Sequence, residues 1–408
     1  MTLDMNYVRQ QFPGLKSDWT FFDNAGGSQI LKPVTEKINE YYFTKNVQLG
    51  GSYDVSVQAA EAVHAGRTSI AKFFNASRAE EVIIGPSATV LLKHLSQAMS
   101  SQFQQGDEII VTNSDHESNI GPWLNLAEQG VTIKFWNLNQ ETYELDLAEL
   151  DLLMTEKTRL VCFTHVSNVI GTINPVQEIT RMVHKRGARV CVDGVAYAPH
   201  RAIDVQAWGV DYYVISLYKT FGPHQSALFG KYDQLLDLDN IYHFFFDKSN
   251  VPAKLEPGNV NFELTYGSSA ILDYLLDLGN RETSVGSARE KCIAAYSSIT
   301  DQERILGEHL LKYLRSRDDC SIIGLSDGND PRCVPTISFT IDGKDPAKIC
   351  KEMDSFKIAL RFGDFYAKRL ITDLGLASRN GVIRVSMTHY NTIEEVDDLI
   401  HALKIVLE

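Results

Sequence analysis

Between Glu81 and Tyr232 the chain alternates seven short apolar runs with mostly helical segments; the runs fall at 81–85, 108–113, 131–136, 160–166, 188–193, 211–216 and 226–232. Runs of this length, rich in β-branched and aromatic residues, read as strands covered on both faces. Strands that alternate with helices build a mainly parallel sheet, because a parallel pair needs a crossover long enough to hold a helix. The predicted fold class is therefore α/β: a mainly parallel seven-stranded sheet sandwiched by helices. Ligands of such sheets collect at the carboxyl ends of the strands.

Several chemically distinctive stretches fall at those ends. Asp211-Tyr212-Tyr213-Val214-Ile215 runs through Ser216-Leu217-Tyr218 into Lys219 and a Gly222-Pro223 turn. A lysine at the mouth of a sheet is partly desolvated, which lowers its pKa and makes it a nucleophile toward a carbonyl; an ordinary solvated loop lysine is the other reading. Gly85-Pro86-Ser87-Ala88-Thr89 opens a helix running to about Met99. Its free amides and the Ser87 hydroxyl suit a phosphate, and a plain N-cap explains the same residues. It contains neither GK[ST] nor GxGxxG, which weighs against a nucleotide. His116, in Ser114-Asp115-His116-Glu117-Ser118-Asn119, could stack on a flat ring, shuttle protons or lie idle on the surface. Asn168 could bond a ring substituent or only shape a turn. Asp193 ends an apolar strand, where a buried carboxylate needs a cationic partner or a donor. A protonated pyridine nitrogen is one such partner, and capping of the next helix is the alternative. The small-residue turn Asn24-Ala25-Gly26-Gly27 brings backbone close to something else or caps the helix after Pro33.

Beyond about Thr265 the pattern changes. A helical stretch from roughly Ser284 to Arg315 leads to strand Thr336–Ile341, helix Pro346 to Phe356, strands Ile358–Arg361 and Val382–Ser386, and a last helix from Glu394. This predicts an N-terminal arm (1–18) packing on the small domain, a large domain (19–275) and a smaller C-terminal α/β domain (276–408). A formal net charge of -13 argues against a nucleic-acid partner. No apolar run approaches the roughly 18 residues that span a bilayer, so no membrane partner is expected. Met1 to Asn6 has neither the basic nor the apolar region of a signal peptide, and a cytoplasmic location is the expectation. The six cysteines form no CxxC pair and read as buried free thiols, with no metal site.

Taken with His165-Val166-Ser167-Asn168, Val192-Asp193-Gly194, Asp204-Val205-Gln206, Tyr218-Lys219, and Arg384 followed by Tyr390 to Asp397, these stretches resemble the class V aminotransferase family of fold type I pyridoxal-phosphate enzymes, in its cysteine-desulfurase-like branch. The resemblance covers nearly the whole chain. It implies pyridoxal 5'-phosphate as cofactor, with Lys219 as its Schiff-base lysine, Asp193 as partner of the pyridine nitrogen and His116 stacked on the ring. It implies further that Ser87, Ala88 and Ser216 hold the phosphate, that Asn168 contacts the ring, and that Arg384, with Arg361, Ala25 and Gly26, binds a small amino-acid substrate. Pro257 to Phe262, including Gly258 and Asn259, is similar to the segment donated to the neighbouring subunit's phosphate site, which implies a homodimer.

Three positions depart from the family pattern. Tyr218 stands where a histidine usually precedes the lysine, so a phenol replaces one phosphate contact. Ala196 stands in place of a glutamine. Tyr366, in Arg361-Phe362-Gly363-Asp364-Phe365-Tyr366, stands where the desulfurases carry their persulfide-forming cysteine, and it becomes a candidate catalytic donor. The expected function is a lyase or transferase acting at Cα or Cβ of a small amino acid. The alternatives are a decarboxylative aldolase of the kind found in fungal peptide pathways, a desulfurase or selenocysteine lyase using an external acceptor, and a non-catalytic dimeric scaffold.

Overall fold

The computed structural model describes residues 3–283 and 285–408. Met1 and Thr2 of the expected arm, and Ser284 at the expected start of the long helix, lie outside the described residues. The seven apolar runs form one sheet: β1 (Val82–Gly85), β2 (Glu108–Thr112), β3 (Thr132–Trp136), β4 (Thr158–Thr164), β5 (Arg189–Asp193), β6 (Tyr212–Ser216) and β7 (Ser226–Gly230). Their spatial order is β1-β7-β6-β5-β4-β2-β3, and only β7 runs against the others.

Successive side chains of a strand point to opposite faces, and the apolar residues divide accordingly. Ile83, Ile109, Leu160, Cys191, Val214 and Leu228 pack on one side, with Leu91, Leu92 and Leu95 of the helix over Ala88–Met99. Val82, Ile84, Ile110, Val161, Val190, Tyr213 and Phe229 pack on the other. Both faces being covered is why the runs carry no polar alternation.

Five helices frame the site and the small domain: α1 (Asp54–Phe74), α2 (Ala88–Met99), α3 (Phe262–Glu282), α4 (Ala288–Arg315) and α5 (Ile393–Leu407). Helices α1 and α3 meet closely at Gly66, where a Cβ would stand 2.2 Å from the Thr265 carbonyl oxygen. The 275/276 position falls inside α3, whose buried Leu272, Leu275, Leu278 and Gly279 keep helical spacing through it. The Ser287–Glu290 capping box starts α4 at Ala288.

A small antiparallel sheet comes next in the chain, made of β8 (Cys320–Ile323), β9 (Thr336–Ile341), β10 (Arg361–Gly363) and β11 (Val382–Ser386) in the order β10-β11-β9-β8. Its core joins Ile337, Phe339, Ile383 and Val385 to Leu306 and Leu310 of α4 and Leu399 and Leu403 of α5. The single strand expected over Ile358–Arg361 is two. Ile358–Ala359 pairs in parallel with Thr20–Phe21, whose edge is only two residues long, so the chain changes partner at Leu360 and joins β11 from Arg361 onward.

The arm helix Met5–Gln10 ends near Phe12, whose ring packs among Phe221, Tyr274, His389 and Tyr390. Arg9 adds a 2.8 Å ion pair to Glu395 of α5. Among the described residues no helix is long and apolar enough to cross a membrane, and no cluster of side chains could hold a metal ion. All six cysteines are free.

Candidate active site

The carboxyl ends of β1, β2, β4, β5 and β6 surround a cavity lined by Ser87, Ala88, Thr89, His116, Asn168, Asp193, Ala196, Ser216, Tyr218 and Lys219. Eight of the sequence-predicted residues therefore meet in one place. The reversed strand β7 contributes its beginning to the same end: Ser226 faces Gly85 on one side and Ser216 on the other.

Lys219 ends a single 3-10 turn directly after β6. Its Nζ has no hydrogen-bond partner among the described residues, and its pKa falls to about 8, first through burial and then through the charge of Arg384, with Asp193 and Asp23 opposing. Asp193 accepts one hydrogen bond on Oδ1, from the Val195 amide at 2.9 Å. Its other oxygen accepts none among the described residues. Burial raises the Asp193 pKa, while the Val195 amide and the nearby Lys219 charge hold it down. The result is a buried carboxylate with one oxygen open, beside a cavity whose lining, among the described residues, carries a weakly basic amine and no other cationic side chain.

His116 caps a short turn after β2. Its Nδ1 accepts from the Ser118 amide at 3.1 Å, which assigns the proton of the neutral ring to Nε2. Burial, then the charge of Lys219, lowers its pKa to about 4, so the ring is a neutral plane at physiological pH. Ser87 caps α2 by accepting from the Val90 amide at 3.2 Å. The Ala88 and Thr89 amides precede the helical hydrogen bonding and border the cavity, and no acidic residue in the first turn offsets the positive end of the helix dipole. Tyr218 stacks its ring on His224 at 5.0 Å and 12°.

One contributor has no signature in the sequence. Asp115 is buried beneath the cavity, accepting from Thr112 Oγ1, from Asn119 Nδ2 at 2.6 Å and from the Thr164 amide at 3.0 Å, so it ties the ends of β2 and β4 together. Burial, with Asp193 adding to it, raises its pKa to about 7. Its neighbour His116 is the residue that stands out in that stretch, and an acid beside a turn carries no sequence mark of burial. His165, by contrast, belongs to the core, where it stacks on Tyr197 at 3.6 Å and bonds the Tyr213 hydroxyl at 2.8 Å.

The remaining expected residues lie around the cavity and do not line it. Arg384 sits on β11 with its side chain 2% exposed. One nitrogen donates to the Asn168 carbonyl at 3.0 Å, another to Asp23 Oδ1 at 2.7 Å, and the Phe365 ring covers the guanidinium at 3.7 Å. Arg361 approaches the other Asp23 oxygen at 3.5 Å. The Ala25 amide donates to Ser386 Oγ at 2.8 Å, and the Gly26 amide closes a turn onto the Asp23 carbonyl.

Tyr366 is 69% exposed, and its ring lies 5.2 Å from that of His116. It faces a separate groove of about 950 Å³ with Asn113, Glu117, Phe135 and Arg369. Its backbone and that of Phe365 both have positive φ (62° and 51°), a conformation held by the Glu117 amide on the Tyr366 carbonyl and Asn168 Nδ2 on the Phe365 carbonyl. Asn259, next to Gly258, lines another groove beside Pro86 and His224. That segment is anchored by Glu256, which takes a two-point ion pair from Arg67 and the Ile84 amide.

A mainly parallel sheet with a desolvated lysine, a buried acid and an open helix start at the carboxyl ends of its strands defines a pyridoxal-phosphate enzyme architecture of fold type I. The chain belongs to the class-V aminotransferase family, whose model matches residues 20–399. It is 40% identical to an aminotransferase-like protein of Gibberella zeae, over 98% of each chain. It is 32% identical to a cysteine desulfurase-like protein of Aspergillus flavus, over 97% of this chain and 88% of that one. The crystal structure of the cysteine desulfurase CsdA of Escherichia coli superposes with a TM-score of 0.84 at 25% identity, covering 100% of this chain and 99% of the other.

Family members use pyridoxal phosphate, and the cavity fits that group. The open oxygen of buried Asp193 calls for a charged N–H donor, the Ala88 and Thr89 amides for an anion, and the unpartnered Lys219 amine for a carbonyl carbon.

Proposed function

We propose that the chain is a pyridoxal-phosphate lyase or transferase that acts at Cα or Cβ of a small amino acid. The observation that carries this reading is the coexistence, in one cavity, of an unpartnered amine at Lys219 and a half-satisfied buried carboxylate at Asp193. A scaffold would gain nothing from either, since each costs stability when left without a partner. The cofactor, when bound, supplies a carbonyl for amines and an electron sink for the bond that breaks.

In this reading Lys219 Nζ would hold the cofactor, and its amine, when free, would carry a proton to or from the substrate carbon. Asp193 keeps the ring nitrogen protonated. His116, neutral and flat, covers one ring face and contributes no competing charge. Ser87, Ser216 and the Ala88 and Thr89 amides bind the phosphate, with Tyr218 at its edge. Asn168, whose Nδ2 is engaged by the Phe365 carbonyl, offers Oδ1. Ala196 offers no hydrogen bond, so the ring's oxygen substituent has one donor fewer. Arg384 and Arg361 take the substrate carboxylate beside the Ala25-Gly26 turn.

No cysteine lines the cavity, and Tyr366 occupies the loop nearest His116. This supports chemistry other than persulfide formation, such as β-elimination, β-decarboxylation or aldol-type addition, with a phenol at Tyr366 where a persulfide-forming thiol would stand. The 32% identity to a desulfurase-like fungal protein is compatible with that range. Placement of Asn259 outside the cavity of its own chain supports a homodimer in which Gly258 and Asn259 serve the neighbour, and six unpaired thiols support a reducing, cytoplasmic setting.

The test is reconstitution with pyridoxal phosphate, borohydride reduction and peptide mapping. A yellow protein labelled at Lys219 is expected. A protein that stays colourless, or a label on another lysine, ends the assignment.

A further inference from the structure

Asp23 and Arg384 are 361 residues apart in the chain and form a 2.7 Å ion pair. The other Asp23 oxygen points to Arg361 at 3.5 Å. One carboxylate thus bridges the two arginines that the proposed function gives to the substrate. The rest of the Arg384 guanidinium is also closed: one nitrogen is on the Asn168 carbonyl, one face is under Phe365, and Nε is buried without a partner. With the side chain 2% exposed, the guanidinium is withdrawn from a carboxylate coming from solvent.

The turn is shaped for this arrangement. A Cβ on Gly26 would stand 2.8 Å from Asp23 Oδ2 and 3.1 Å from Cγ and Oδ1, so glycine leaves the space that the carboxylate fills. Gly26 is not among the glycines with positive φ, which makes that space the clearer reason for its identity.

We propose that Asp23 is an internal carboxylate that occupies the two-arginine site in the absence of substrate, and that the α-carboxylate of a substrate binds by exchanging with it. The proposal rests on the reading that Arg384 takes the substrate carboxylate. A buried guanidinium without a counterion is strongly destabilised, so Asp23 keeps the empty site folded. The same ion pair sets how weakly an incoming carboxylate is held, because only the difference between two similar carboxylates remains as affinity. Asp23 is therefore a positioning and affinity-setting residue, acting on the substrate through Arg384.

The experiment compares the cofactor-loaded wild type with Asp23→Asn and Gly26→Ala by calorimetric titration with propionate. Propionate carries a carboxylate but no amine, so it reports the arginine site alone. Asp23→Asn keeps the shape and removes the charge, whereas Gly26→Ala keeps the charge and pushes it out of place. Both variants are expected to bind propionate at least about tenfold more tightly than wild type, with a larger upward shift of melting temperature on adding it.

A merely structural Asp23 would loosen binding when replaced, so equal or weaker binding in both variants overturns the exchange. If Asp23→Asn does not fold, Gly26→Ala alone decides in the same terms. Borohydride mapping of the same samples separates the two levels of inference. A label on Lys219 with unchanged propionate binding rejects the exchange only, and tighter propionate binding without that label rejects the assigned chemistry only.

Discussion

The two halves of the site differ in how far they satisfy themselves. Around Lys219, groups at the ends of the large sheet are left open: an amine without a partner, one oxygen of Asp193, and two amides at the start of α2. Around Arg384, on the small sheet, the charge is paired with Asp23 and most of the guanidinium is covered by the Asn168 carbonyl and the Phe365 ring, with Nε alone left unpartnered. Open groups on a rigid sheet are suited to a ligand that stays. A self-paired arginine is suited to one that comes and goes, because the empty state must also be stable. The division between resident cofactor and passing substrate is thus already written in hydrogen-bond satisfaction.

The largest effect that tests this contrast is Lys219→Ala. Removal of the open amine in the cavity is expected to abolish covalent cofactor attachment and to lower turnover by more than about 10³-fold, within the range for a lost proton-transfer group. Absorbance and single-turnover kinetics check it. Retained covalent colour would show that the cavity is open for another reason.

Asp193→Asn comes next. It is expected to keep the cofactor bound through the remaining contacts and to slow turnover about 10²-fold, the scale of one charge-assisted hydrogen bond in a dry site. Near-normal turnover would reduce Asp193 to a cap for the Val195 turn.

A pH series on the cofactor-free protein sharpens the comparison without mutation. Burial and Arg384 bring the Lys219 amine to about 8. Below that value the ammonium form dominates and cannot attack a carbonyl, so the rate of pyridoxal-phosphate capture should rise about tenfold from pH 7 to pH 9 and then level off. A rate that keeps climbing past pH 10 would indicate an ordinary solvated lysine.

The smallest effect is expected at Tyr366. Its ring leans on His116, but most of the residue is exposed and none of it lines the Lys219 cavity. Tyr366→Phe keeps the ring and should change turnover by less than about twofold if the hydroxyl only meets solvent, the usual scale for a surface substitution. A larger loss would assign proton donation to the phenol. In parallel, incubation with L-cysteine is expected to add no sulfur to any of the six cysteines by intact-protein mass spectrometry.

The large sheet and its contents were legible in the sequence for a physical reason. Strands buried on both faces are unbroken apolar runs, and residues just past their ends must lie at one edge, so the pattern alone groups Lys219, Asp193, His116 and Ser87. The arginine half was not legible in the same way. Arg384 is recognisable by resemblance, yet its partner Asp23 lies in a turn near the other end of the chain and has no local pattern pointing there. Asp115 stayed hidden because its burial comes from β2 and β4 closing over it. The break at Leu360 stayed hidden because a two-residue pairing with Thr20–Phe21 leaves no periodic trace.

The sheet order also has a consequence in time. Among the described residues the one strand neighbour of β1 is β7, which begins about 140 residues later, on the order of ten seconds of synthesis at typical elongation rates. Until Ser226 emerges, Val82, Ile83 and Ile84 have no strand to pair with, and the amides that open α2 border no completed cavity. The nascent chain therefore carries an unpaired apolar strand through most of its large domain, a period in which that segment is open to pairing with its own copies.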